Sequence, residues 1–377
     1  MKIIHLSDLH LGKRFAEYSL IEDQKYILNK IIEIIKEQKP DAVCIAGDVY
    51  DKTVPSTEAV ELFDDFLFAL SKIGVDVFVI SGNHDSPERL AFGNRIFDSS
   101  GIHLSPVYDG EVRAVTLKDK SGDVNFYMLP FVKPSHVKRF FPDEKIESYT
   151  DAVEVAVKYM QIDRSKRNVL IAHQFVTGSK RSESEEKSVG GLDNVDSSAF
   201  DGFDYVALGH IHGPQTAGGN NIYYCGTPLK YSFSEANDQK SVALIELKQK
   251  GELSIVRLPL TPKREVVDLR GTYDELMSRS FYENTTYRDD LVRITLTDED
   301  DVLNAAANLR VVYRGLAELR YDNERTRSTA VIDSVGETEN KTPLELFSEL
   351  YELQNGRKMT DCQTDYVKGL IEKIWEA

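Results

Sequence analysis

Cysteine is scarce: the 377 residues include 3, Cys44, Cys225 and Cys362, none in a CxxC spacing. That excludes a disulfide-stapled scaffold and a thiolate zinc site, and it suits a reducing, cytoplasmic setting. Long apolar runs are missing too. No stretch approaches the roughly 18 residues of a membrane span, and MKIIHLSDLH puts Asp8 and His10 where an export signal needs its apolar core. Neither membrane insertion nor export is expected. Positive charge is in deficit, 46 basic against 62 acidic residues for a net charge of -16. An all-over basic surface for nucleic acid is therefore excluded, and any DNA must be gripped locally, through metals or a partner. With 41% hydrophobic and 29% charged residues, 12 Pro and 23 Gly, the chain is neither disordered nor collagen-like. No internal repeat occurs, and the only low-complexity patch is Ser179–Ser188.

The chain exceeds the roughly 250 to 300 residues at which single cores stop growing, so two or three domains are expected. From Met1 to about Pro262 short apolar runs end abruptly in polar, often Gly-containing residues: Ile3–Leu6, Ala42–Ala46, Val75–Ile80, Val169–Ala172 and Tyr205–Leu208. Between the first three, Asp23–Gln38 and Ser56–Ile73 return apolar residues every three or four positions and predict helices. Strand–helix–strand order predicts a parallel or mixed sheet in a layered α/β body. Val112–Leu117, Val124–Leu129, Ile222–Cys225, Ser241–Lys248 and Leu253–Leu258 alternate more strictly, which predicts antiparallel pairs or edge strands. Beyond Lys263, Glu265–Leu269, Thr272–Ser278, Asp290–Leu296, Asp300–Val312 and Leu316–Tyr321 read as a compact strand–helix–strand–helix–strand domain, after a linker with Pro259 and Pro262. Two amphipathic helices follow, Pro343–Leu353 and Asp361–Trp375, with a turn at Asn355-Gly356. Their apolar faces suit either packing on their own domain or docking a partner.

The chemistry lies at the run ends. Asp8 and His10 follow the first run, Asp48 and Asp51 the second, Asn83, His84 and Asp85 the third, His173 the fourth, and His210 and His212 the fifth. Ligands in open α/β sheets gather beyond the carboxyl ends of strands, so five such ends aimed alike would bring these residues into one crevice. Of 8 histidines only His5, His103 and His136 stand elsewhere. In Asp8-Leu9-His10 and His210-Ile211-His212 one apolar residue separates two donors, and an extended chain would turn both donors to one face. Gly12, Gly47, Gly82 and Gly209 fall in the same turns. Taken singly, each motif reads as an ordinary cap, turn or core histidine; together in this order they read as a site. Oxygen and imidazole donors without sulfur suit manganese, iron, magnesium or zinc in a catalytic centre. Seven ligands are too many for one ion. Two ions roughly 3.5 to 4 Å apart with a carboxylate between them clamp the oxygens of an in-line phosphoryl displacement.

The ordered set DLH, GDVYD, GNHD, lone His173 and GHIH resembles the signature of the calcineurin-like metallophosphoesterases. The opening IIHLSDLHLGK and the stretch CGTPLKYSFSEANDQKSVALIEL are most similar to the branch of DNA-end-processing nuclease subunits that work with a large SMC-like ATPase. The resemblance implies an α/β fold, a β-sandwich flanked by helices, as a nuclease domain over 1–263. It further implies a small α/β capping domain over 264–335 and paired C-terminal helices over 336–377 that dock the ATPase. It assigns one metal to Asp8, His10 and His212 and the other to Asn83, His173 and His210, with Asp48 bridging. His84 would contact the scissile phosphate and help the leaving oxygen depart, with the Asp51 carboxylate orienting it as in the phosphatases. Two divalent ions are implied, manganese first, with magnesium or iron as alternatives. The implied substrate is DNA, at ends and hairpins, cut as exonuclease and endonuclease, and a homodimer through helices of the first domain is implied as well. A phosphoprotein phosphatase or cyclic-nucleotide phosphodiesterase of the same fold is the competing activity, disfavoured by the extra segment from Lys263 to Ala377. Ser179–Ser188, followed by Gly190-Gly191, is expected to be a solvated loop or a mobile lip over the metals. Tyr223, Tyr224, Lys230 and Tyr231 are expected to be structural, with base stacking as the other role.

Overall fold

The computed structural model describes residues 1–185, 193–324, 326, 343–355 and 358–375. The expectations for Glu186–Ser188, Gly190, Gly191, 336–342 and the Gly356 turn fall outside the described residues. The chain divides into two compact units, Met1–Val267 and Asp268–Ala377.

In the first unit β1 (Lys2–Leu6), β2 (Ala42–Ala46), β3 (Asp76–Ile80) and β4 (Ile102–Leu104) run parallel. A second sheet holds β5 (Ala114–Asp119), β6 (Gly122–Leu129), β7 (Arg167–His173), β8 (Tyr205–Gly209), the short β9 (Gln215–Thr216) and β10 (Ile222–Tyr224), in the order β9-β10-β8-β7-β6-β5. Then β11 (Ser241–Leu247) and β12 (Leu253–Pro259) return to the first sheet, whose order is β12-β11-β1-β2-β3-β4, with β11 antiparallel to β1. The helices α1 (Ile21–Gln38) and α2 (Thr57–Ile73) link the parallel strands as their three- and four-residue apolar spacing predicts. Ser56 caps α2 by accepting from the Ala59 amide at 3.3 Å.

Two strand readings are corrected: Val124–Leu129, in β6, is antiparallel to β5 but parallel to β7. Ile222–Tyr224 is parallel to β8, not antiparallel, and only the two-residue β9 pairs with it in the antiparallel sense. A short non-helical crossover suffices here, so the missing helix signal misled.

The two sheets face each other across a core of Ile3, Cys44, Phe78, Phe126, Val169, Tyr205 and Ala243, among others. Phe78 stacks on Phe126 with ring centroids 4.4 Å apart. His5 crosses this interface: its Nδ1 lies 2.8 Å from the Tyr205 hydroxyl. Burial lowers its pKa to about 3, against a raising hydrogen bond at the Leu208 backbone. Below the ordinary histidine value an unfolded chain takes up a proton that the folded chain refuses, so stability is lost as pH falls through that window, at up to about 1.4 kcal/mol per pH unit. His5→Gln, which keeps a partner for Tyr205, should therefore flatten the acid limb by about 2 kcal/mol between neutrality and about pH 5. Equal slopes in urea unfolding of the two proteins would contradict this.

The second unit holds a three-stranded sheet in the order β13 (Val266–Gly271), β14 (Leu291–Leu296), β15 (Gly315–Tyr321). Its helices include α3 (Tyr273–Met277) and α4 (Ala305–Val312), followed by α5 (Pro343–Asn355) and α6 (Asp361–Trp375). The helix expected from Asp300 starts only at Ala305, because Asn304 before it is left-handed, with φ 56°. Free Cys44 and Cys225 are buried, and no described helix is long and apolar enough to cross a membrane.

Candidate metal centre

Carboxyl ends of β1, β2 and β3 from one sheet and of β7 and β8 from the other deliver the candidate ligands. Asp8, His10, Asp48, His173, His210 and His212 are all buried. Three groups of possible ligand atoms lie within 4.8 Å of one another: Asp8, His10 and His212; Asp8, Asp48 and His173; His10, Asp48 and His84. Asp48 Oδ2 stands 3.3 Å from His173 Nε2, 3.8 Å from His10 Nε2 and 3.9 Å from His84 Nε2, so it faces both halves of the cluster. In the second half, Asn83 Oδ1 is 3.0 Å from His173 Nε2 and 2.9 Å from His210 Nδ1.

The chain reaches this arrangement through backbone that side chains avoid. Asp8 (φ 52°), His10 (φ 44°), Asp48 (φ 48°) and His210 (φ 101°) are all left-handed. Such conformations cost of order 1–3 kcal/mol each and persist where the surroundings impose them. Asp8 and His10 therefore do not share a face through extended chain, as their spacing predicts: turns, not a strand, bring both donors inward while Leu9 stays buried. Amides of Asp8 and His10 donate to Gly47 and Asp48 carbonyls at 3.0 and 2.9 Å, knitting the first turn to the second. Two glycines are required by closeness. A Cβ on Gly82 would strike the Asp48 carboxylate, and one on Gly209 would strike the Ala46 carbonyl and the His173 ring.

Asp85 is no ligand. Its carboxylate accepts the amides of Gly82, Tyr50 and Val49 at 2.9, 2.9 and 3.1 Å, and so staples the second turn to the third. Burial, then the charge of Asp48, raises it to about 6 against these hydrogen bonds.

His84 donates from Nδ1 to the peptide oxygen of Asp51, 3.1 Å away, and not to its carboxylate. The Asp51 carboxylate takes the Lys13 ammonium at 2.7 Å and stands 3.7 Å from His10 Nδ1. A ring that donates from Nδ1 can give up a proton from Nε2 only as imidazolium.

Electrostatics favour a cation between these groups. Burial alone would raise Asp48, but the charge of His173 and its hydrogen bond, with His10 and His84, pull it well below the usual carboxylate range. Burial lowers His173, yet Asp48 overrides this and raises it to about 9. Burial holds His10 and His210 well below the ordinary histidine value. An ionised carboxylate and neutral imidazoles are the forms a dication binds. A dication in the cluster would neutralise the buried Asp48 carboxylate. His10 Nδ1 and His210 Nε2 are buried with no hydrogen-bond partner among the described residues, and His10 Nε2 faces His212 Nε2 at 3.3 Å. Two facing imidazole nitrogens need a proton or a metal between them. The donor set fits divalent ions.

The sequence reading missed a ring of groups behind His212. Ser184 and Glu185, read as solvated loop or lip, turn inward: Ser184 Oγ is 2.6 Å from His212 Nδ1, and Glu185 accepts the His212 amide at 2.6 Å. Glu235 and Lys240 are buried beside them as an ion pair at 2.6 Å. Tyr223, Tyr224 and Tyr231 are buried and not free to stack on bases; Tyr231 packs edge-on against His10 and His212, and its hydroxyl donates to the Leu9 carbonyl at 2.5 Å.

Residues 1–214 match the family model of the calcineurin-like phosphoesterases. The chain belongs to the calcineurin-like phosphoesterase family. Its reaction class is hydrolysis of phosphate esters, and the fold implies divalent metals at this cluster. Residues 262–355 match a second model, described as the type 5 capsule protein repressor C-terminal domain. The chain is 32% identical over 381 residues to a protein of Staphylococcus epidermidis named as a subunit of the nuclease SbcCD, covering 99% of both proteins. It is 34% identical over 317 residues to the protein of the same name from Staphylococcus saprophyticus, covering 83% of this chain and 82% of the relative.

Proposed function

We propose that the protein is the nuclease subunit of an SbcCD-type DNA-end-processing complex, hydrolysing phosphodiester bonds with two divalent ions, manganese first among them. The observation that carries the metal reading is Asp48 standing between the two halves of the donor cluster. A relative named as a nuclease subunit matches over 99% of the chain, which favours a nuclease over a phosphoprotein phosphatase or cyclic-nucleotide phosphodiesterase. In this reading Asp8, His10 and His212 hold one ion, Asn83, His173 and His210 the other, and Asp48 both. When bound, such a pair lowers the pKa of an attacking water and neutralises the phosphate. His84 contacts the phosphate and, as imidazolium, hands its Nε2 proton to the departing oxygen. Asp51 holds His84 through its peptide and Lys13 through its carboxylate.

Residues 1–263 form the nuclease domain, 264–335 a cap and 336–377 the docking helices for the ATPase. Supporting the last is the exposure of Phe347, Leu350, Tyr366 and Leu370 on α5 and α6. Leu370→Glu should abolish co-purification with the ATPase while metal content stays unchanged; unaltered co-purification would reassign these helices. Exposed Phe68 on α2 favours a homodimer through helices of the first unit, which sedimentation velocity of the free chain tests. The cytoplasm is the proposed compartment. Incubating the purified protein with manganese and linear or hairpin-ended duplex tests the function: cutting of the duplex supports it, and turnover of small phosphate esters alone would favour the phosphatase reading.

A further inference from the structure

Ser184 and Glu235 are 51 positions apart and meet beside His212. Ser184 Oγ lies 2.5 Å from Glu235 Oε1 and 2.6 Å from His212 Nδ1. A carboxylate only accepts hydrogen bonds, and a hydroxyl has one proton and two acceptor sites. Glu235 is completely buried, and its other oxygen takes the Lys240 ammonium at 2.6 Å, so it stands there as the anion. The serine proton must then point to Glu235. What remains on Ser184 are acceptor sites, which take the His212 Nδ1–H and the Ser182 hydroxyl 2.9 Å away. The other polar atoms of His212 are occupied as well: its amide by Glu185 at 2.6 Å, its carbonyl by Lys240 and the Thr227 amide at 3.1 Å each. Nε2 is left bearing a lone pair and aimed at the cluster.

We propose that Ser184 and Glu235, with Lys240 behind them, are positioning residues that fix His212 in the Nδ1–H tautomer and so present its Nε2 to a metal ion. The proposal rests on the reading of His212 as a metal ligand. His173 gets the same service from the main chain, its Nδ1 lying 2.9 Å from the Ala46 carbonyl. At His212 the service is performed by side chains and can be removed without touching the ligand. Groups that orient a ligating histidine typically change metal affinity 10–100-fold when lost.

The direction of the relay makes the test specific. Glu235→Gln should reverse it: Lys240, a pure donor, keeps the amide oxygen, the amide NH2 faces Ser184, and the hydroxyl then donates to His212. Side-chain nitrogen NMR of the metal-free, full-length protein should show His212 as Nδ1–H in the wild type and in Ser184→Thr. It should show Nε2–H in Glu235→Gln and an unpinned mixture in Ser184→Ala. Manganese calorimetry on the same proteins should show one of two sites weakened roughly 10–100-fold in Ser184→Ala and Glu235→Gln, and near wild type in Ser184→Thr. A wild-type His212 carrying its proton on Nε2, or a Ser184→Ala protein with unchanged tautomer and manganese affinity, would overturn the proposal. Wild-type protein that binds no manganese would sink the metal-centre reading, while the spectra still decide what Ser184 does.

Discussion

Asp48→Asn should leave at most one manganese ion per chain and lower duplex hydrolysis by about 10³-fold or more, a scale set by the loss of a preorganised charge at the reacting group. The side chain touches both halves of the cluster: Oδ2 is 3.3 Å from His173 Nε2 and 3.8 Å from His10 Nε2, while Oδ1 accepts the His84 amide at 2.9 Å. An asparagine can keep the Oδ1 contact. It cannot keep the second charged oxygen, and an NH2 group there has no lone pair to offer a cation and would instead donate to the imidazole nitrogens meant for the metal. The loss should therefore fall on metal content first. Elemental analysis of dialysed protein measures it, and two ions retained with full activity would mean that Asp48 bridges nothing.

His84→Gln should behave in the opposite way, keeping both ions while cutting falls by about 10² to 10⁴-fold, the usual worth of a general acid. His84 is held from behind by the Asp51 carbonyl, and its Nε2 is 3.9 Å from Asp48 Oδ2, at the edge of the cluster and partly exposed. That is a place for a group that meets the substrate. Because the same ring also falls within one of the three ligand-like groups, metal content discriminates the two roles. A variant that loses an ion along with activity would make His84 a ligand.

Much of this was legible because apolar runs mark buried parallel strands well. Ile3–Leu6, Ala42–Ala46 and Tyr205–Leu208 each fall inside an observed strand, and the polar residue after each run lands in the crevice. The convergence of Asp8, Asp48, His173 and His212 followed from that and from the rule that parallel strands present their carboxyl ends together. What the sequence did not disclose depends on contacts between distant segments. Nothing in Asp8-Leu9-His10 announces left-handed backbone, since Asp and His tolerate extended geometry as readily; the hydrogen bonds to Gly47 and Asp48 impose it. Asp85, adjacent to His84, looked like one more donor, but its carboxylate is turned to three amides that join two turns. Glu235 and Lys240 look like surface charges in SEANDQK, and only the fold shows them buried as a pair behind His212.

Crystals soaked in manganese and measured at its absorption edge test the centre of this account most directly. Two anomalous peaks about 3.5 to 4 Å apart, with the Asp48 carboxylate between them, are expected. One would be flanked by Asp8, His10 and His212 and the other by Asn83, His173 and His210. A single peak, or a pair lying away from Asp48, would contradict it.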